Sequence, residues 1–310
     1  MAKGRLARAV ASALLVACHG HHAPGPPPLG KALAAALAAA DHARVPWRCA
    51  AADTPALAPV TVGRWATAER TLSLGDPKRD VTIGVVADAG GNAPATLAAL
   101  ARLRSKLAAA DLVVTLGGMG TTEPELEATL GTLADKTRPL VVLPGDLEDE
   151  HAQRAAVATL ASKGNAVFDG RLARWITAGD ATLATIPGTG ASERLVAGAD
   201  GCAWRASDVA TVYKQLADRP GVRIALLAEA PREGQSGELA LVPATPVDVV
   251  VHGAAPLSPA RQGTRDGKYQ SLSPGTVDAL PRLPETHAPS AGLLVIHGTT
   301  WSWKPLVDEK

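Results

Sequence analysis

Asp88, Asp146, Glu148, Asp149 and Glu229 each stand where an apolar run gives way to a loop. Carboxylates in such places can do one of two things. They can assemble an all-oxygen site suited to Mg²⁺ or Ca²⁺. They can also accept from the orphan N–H groups of a following helix and complement its dipole. Asp146, Glu148 and Asp149 lie just ahead of a helical stretch, which makes capping the preferred reading. Gly188-Thr189-Gly190-Ala191-Ser192 could cradle a small anion on its backbone. It lacks the spacing and the Lys of a P-loop and reads as a loop. Asp88-Ala89-Gly90-Gly91-Asn92 lacks the third glycine of a dinucleotide fingerprint, and no Gly-x-Ser-x-Gly elbow occurs. His297 sits in an apolar strand and reads as structural.

Such residues need elements to position them. From Val81 onward the pattern is regular: a strand over Val81–Ala87, a helix over Ala95–Ala110 with Asn92 as cap and Pro94 in its first turn, and a strand over Leu112–Leu116. Thr122-Glu123-Pro124-Glu125 is a capping box opening a helix to about Lys136. A strand at Leu140–Leu143 and a helix from Glu148 to Ser162, closed by Gly164, complete a third unit. Three strand–helix units in succession predict a buried parallel sheet. Later strands are expected at 174–178, 181–186, 222–228 and 247–252. Ser207 is expected to cap a helix that Pro220 ends, and 291–304 reads as a hairpin turning at Gly298. The expected fold class is α/β, with two facing sheets and helices outside. Ligands in open α/β sheets bind at the carboxyl ends of strands. Those ends are read from Asp88–Asn92, Gly117–Gly120, Pro144–Asp149, Ala228–Pro231, Asp248–Pro256 and Ser271–Thr276.

This order resembles the calcineurin-like metallophosphoesterases. The resemblance covers about Asp80 to Leu306 and is carried by Pro144-Gly145, Asp248-Val249-Val250-Val251 with Gly253, and Ser273-Pro274-Gly275. It implies a two-sheet αββα sandwich whose strand ends hold two metal ions that activate a water against a phosphoester. The site positions depart from that pattern. Asp88 matches the first aspartate, but Gly90 stands where a His belongs. Gly118 replaces the bridging Asp. Asp146 and Leu147 take the Asn-His positions, and Glu148 keeps the acidic one. Glu229 falls near the lone His, while Ala254 and Pro256 replace the final two histidines. His252 comes two positions early, and a neighbouring strand residue points to the other face. Without the bridging carboxylate and the imidazoles, two ions about 3.5–4 Å apart are not held. The resemblance therefore implies an inactive domain acting as a binding or structural module, with no cofactor. Two alternatives stay open. One is an active phosphoesterase using Asp88, Asp146, Glu148 and Glu229 on a divalent ion. The other is a metal-free site for a small ligand.

The N-terminus sets the compartment. Lys3, Arg5 and Arg8 precede an uncharged run, Ala9–Val16, and then Leu15-Val16-Ala17-Cys18. A basic start, a short apolar core and a small residue before Cys resemble the signal of bacterial lipoproteins. The resemblance implies a signal peptide over 1–17, lipid on Cys18, and an envelope protein facing the periplasm or cell surface. Residues 18–29, rich in Pro, Gly and His, read as a tether in which His19, His21 and His22 are solvated. Residues 30–79 read as an alanine-rich helix over Gly30–Arg44 and then an irregular or extended segment. The main domain spans 80–310. With Cys18 lipidated, Cys49 and Cys202 are left as an even remainder and are expected to pair. A formal net charge of +1 gives no field for nucleic acid. With aromatics at 3%, the core must come from Leu, Val, Ile and Ala.

Overall fold

The computed structural model describes residues 49–51, 54–75, 80–190, 195–196, 200–231, 242–253, 269–278 and 288–308, and the backbone of 261–265. The expected helix over Gly30–Arg44 and the lipidation site at Cys18 lie outside them. Two sheets face each other. The larger has nine strands in the order β1-β2-β3-β8-β9-β10-β11-β13-β12. These are β1 (Thr61–Val62), β2 (Trp65–Ala68), β3 (Thr71–Leu74), β8 (Trp175–Ala178), β9 (Ala181–Ile186), β10 (Val222–Leu227), β11 (Val249–His252), β12 (Arg261–Arg265) and β13 (Tyr269–Ser273). The smaller has six strands in the order β15-β14-β4-β5-β6-β7. Its members are β4 (Val81–Val86), β5 (Leu112–Leu116), β6 (Leu140–Leu143), β7 (Val167–Asp169), β14 (Ser290–His297) and β15 (Thr300–Val307). Strands β4 to β7 run parallel, joined by α1 (Pro94–Lys106), α2 (Glu123–Leu133) and α3 (Glu150–Ser162). The fourth described helix, α4 (Ala206–Ala217), packs on the far side of the large sheet against β9 and β10.

The layering follows from strand alternation. In β10, Val222, Ile224 and Leu226 join the core between the sheets, while Ala225 and Leu227 join a second cluster beneath α4 with Trp204, Val212 and Tyr213. In β11, Val249 and Val251 face inward and Val250 outward. The small sheet is buried on both faces, so β5 and β6 are buried along their whole length. This is the expected two-sheet αββα sandwich.

Several local expectations are corrected. Asn92 is not the cap of α1; Ala93 is, without a side-chain bond, and Pro94 takes the first position. The helix stops at Lys106, short of Ala110. Likewise α2 ends at Leu133, because Asp135 turns its carboxylate onto the N–H groups of Thr137 (2.8 Å) and Arg138 (3.3 Å). Ser207 lies inside α4, whose N-cap is Arg205. His297 ends β14 at the surface, paired with Asp80 at 2.8 Å. The segment read as irregular or extended contains β1, β2 and β3, and β3 joins the large sheet by pairing parallel with β8.

Cys49 and Cys202 form a disulfide with a Cα–Cα separation of 5.6 Å. Cys49 N–H also donates to Ala203 O at 2.9 Å. No described helix is long and apolar enough to cross a membrane.

Candidate functional site

Strand ends from both sheets meet at one face of the sandwich. Asp88 follows β4 with φ +52. Its N–H donates to Gly117 O (3.0 Å), and its carbonyl accepts from Thr276 Oγ1 (2.8 Å) and from the N–H groups of Val277 (3.1 Å) and Asp278 (2.8 Å). The β4 end is thereby fastened to the β5 loop on one side and to the segment after β13 on the other. Gly90 N–H donates to Gly118 O at 2.8 Å. The exposed Gly90 thus contributes backbone only. Gly118 has φ +71, and a Cβ there would run into Asp88 Oδ1 and lie 2.8 Å from Asp88 Cα. The Asp88 carboxyl therefore covers the space a side chain at position 118 would need.

The β5 and β6 ends touch backbone to backbone. A Cβ on Gly117, itself at φ +82, would lie 2.8 Å from Gly145 Cα. Glu148 binds both loops. Its Oε1 accepts from Met119 N–H at 2.7 Å and its Oε2 from Gly145 N–H at 2.8 Å. It is 1% exposed. Burial pushes its carboxyl above the ordinary carboxylate range, and the N–H groups of Met119, Gly145, Glu148 itself and Gly118 pull the other way. Glu148 is not the cap of α3. Asp149 is, accepting from Ala152 N–H at 2.8 Å. Asp146 and Leu147 are half-buried, and Asp146 O accepts from Val196 N–H at 2.9 Å.

From the other sheet, Gly188 N–H donates to Pro144 O (2.7 Å) and Gly190 N–H to Glu229 Oε2 (3.3 Å). The glycine loop after β9 is thus tied to its neighbours by its own amides. Glu229 is 3% exposed. Gly253 packs so closely on Leu116 O and Ala228 O that a Cβ would lie 2.9 Å from the latter. Ala254 and Pro256 lie outside the described residues. His252 shares the outward face of β11 with Val250. There its ring bridges Gly253 O and Ser271 Oγ, each at 3.1 Å, so it is turned away from the sheet interface as the strand period requires.

The structure thus brings Asp88, Gly90, Gly118 and Glu148 into one network of loop contacts and sets Glu229 against the adjoining loop after β9. A dinuclear metal centre does not fit this donor set. The bridging position is covered by Asp88, and the two Glu148 oxygens are committed to amides. Among the described residues, no three His, Cys, Asp or Glu side chains are grouped to hold an ion.

Two buried arginines after β7 bind the chain further. Arg171 grips Asp169 through Nε (3.0 Å to each oxygen) and reaches Glu150 of α3. Arg174, wholly buried, donates to Thr185 O (2.6 Å), Cys49 O (2.8 Å) and Arg171 O (3.0 Å), and burial pushes its guanidinium down to about 9. Both follow β7, a strand too short to read in the sequence. The Asp169-Gly170-Arg171 step was the one local signal available.

The fold is similar to that of the purple acid phosphatase PPD1 from yellow lupin (Lupinus luteus) seeds. The TM-score is 0.52 at 11% identity, over 78% of this chain and 54% of that one. The chain thus spans about half the length of the lupin protein. Weaker similarity is found to TT1561 of Thermus thermophilus (TM-score 0.47, 13% identity, 73% of this chain and 99% of that). A metallophosphoesterase from Sphaerobacter thermophilus is also similar (TM-score 0.34, 15% identity, 74% and 88%). At these identities the likeness is one of fold. No protein-family profile matches the chain, and no curated protein matches it.

Proposed function

We propose that this chain is a lipid-anchored protein of the cell envelope whose metallophosphoesterase-like domain has lost catalysis and serves as a binding or structural module. Residues 1–17 are its signal peptide and 18–29 its tether, with lipid on Cys18. The observation that carries the inactive reading is the occupation of the strand-end face by the chain's own groups. Asp88 covers Gly118, and Glu148 spends both oxygens on Met119 and Gly145. Asp146 adds a carboxylate where the resembled family has a neutral amide. A like charge there repels a phosphoester, whereas phosphoryl transfer needs positive groups around the developing charge.

Elemental analysis after Mn²⁺ and Zn²⁺ loading, together with aryl phosphate mono- and diester assays, tests this. The expected result is no stoichiometric metal and no turnover above background. Bound metal with turnover abolished by Asp88→Ala would replace this reading with the carboxylate-rich enzyme. The anchor is tested by Cys18→Ser, which should leave the chain unprocessed and remove palmitate labelling. Unchanged labelling and membrane fractionation would sink the lipoprotein reading.

A further inference from the structure

We propose that the N–H groups of Met119 and Gly145 form an oxyanion seat, which the chain closes with its own Glu148 carboxylate. The same seat takes a small external carboxylate once that side chain is shortened. The donors come from two different strand ends, the loops after β5 and β6. Met119 N–H meets Oε1 at 2.7 Å and Gly145 N–H meets Oε2 at 2.8 Å. Both of these donors to the carboxyl are backbone N–H groups. A buried carboxylate held by converging peptide dipoles is held in the way a bound anion is held.

Glycine builds the seat. Positive φ at Gly117 and Gly118 turns the β5 loop, and Gly145 presents bare backbone: a Cβ there would lie 3.3 Å from Glu148 Oε2 and 3.4 Å from Gly118 N. The two carboxyl oxygens each face a different loop. Glu148 is therefore an internal ligand. It fastens the loops after β5 and β6 to one another. The inference concerns what this pocket of amides binds and holds whether or not the domain ever turns over a substrate.

Glu148→Ala in the full chain removes Cγ, Cδ and both oxygens, which acetate replaces atom for atom. Thermal unfolding of the variant and of the unaltered chain is followed against acetate. Chloride balances ionic strength, and acetamide serves as the neutral isostere. Acetate should raise the midpoint of the variant by about 5 °C near saturation. Acetamide should raise it by less than half as much, and the unaltered chain should not respond. No acetate effect, or an equal effect of acetamide, overturns the proposal. If Glu148→Ala does not fold, amide resonances of the unaltered chain decide. Those of Met119 and Gly145 should move together as one carboxyl titrates; independent movement or none overturns the seat. Metal loading and turnover test the inactive reading separately, so the two can fail independently.

Discussion

Gly118 and Glu148 show how far a single residue type decides this site. At Gly118, φ is +71 and Asp88 fills the space beside it. Gly118→Ala should therefore cost about 1–3 kcal/mol, read from urea unfolding, because backbone strain and overlap with Asp88 act together. A neutral result would mean that Asp88 swings away freely. Glu148→Gln sets an amide N–H₂ against a backbone donor and should cost about 1–3 kcal/mol. Its pH dependence has a definite sign. Burial raises the folded-state pKa above the ordinary 4.5, so the folded chain holds this proton more tightly than the unfolded one. The contribution of Glu148 is full below about that pH and declines as pH rises toward the raised value. The stability gap between the unaltered chain and Glu148→Gln should narrow over that window, and a gap that widens would contradict the burial account. The sequence showed that Glu148 was a carboxylate beside a strand end. It could not show which N–H groups would face it, because Met119 lies 29 residues away and meets it only after β5 and β6 pair.

Among elements, legibility followed length and burial. Strands β4, β5 and β6 were readable because their faces are almost wholly buried and their runs are dominated by Val, Leu and Ile. The three short strands β1 to β3 were not. Two to four residues with alternating exposure give little periodicity, and β3 is fixed by its partner β8 about a hundred residues on. Helix starts were readable where a carboxylate truly caps. Asp149→Ala should destabilise by about 1 kcal/mol in urea titration, since it bonds Ala152 N–H. Ser207, expected as a cap, sits exposed within α4, and Ser207→Ala should change stability by less than about 0.5 kcal/mol. A loss at Ser207 as large as that at Asp149 would restore the sequence-based boundary.

On the scale of the whole molecule, the αββα order was legible from the succession of strand–helix units. The disulfide was legible from cysteine parity once Cys18 was set aside. Replacing both Cys49 and Cys202 by Ser opens a loop closed at a separation of 153 residues and should cost about 4–5 kcal/mol on the chain-entropy account. It should also slacken Arg174, which holds Cys49 O. Calorimetry of the double variant checks this, and an unchanged midpoint would show that the bridge adds nothing to the packed core. The bridge also sets the route of mechanical force. Tension applied between the chain ahead of Cys49 and the last strand, β15, crosses the sulfurs to Cys202 and bypasses everything between. Strands β1 to β9 and helices α1 to α3 lie off that load path, and only the chain beyond Cys202 is drawn taut. A steady pull would therefore load α4 and β10 to β15 before the strands that precede Cys202.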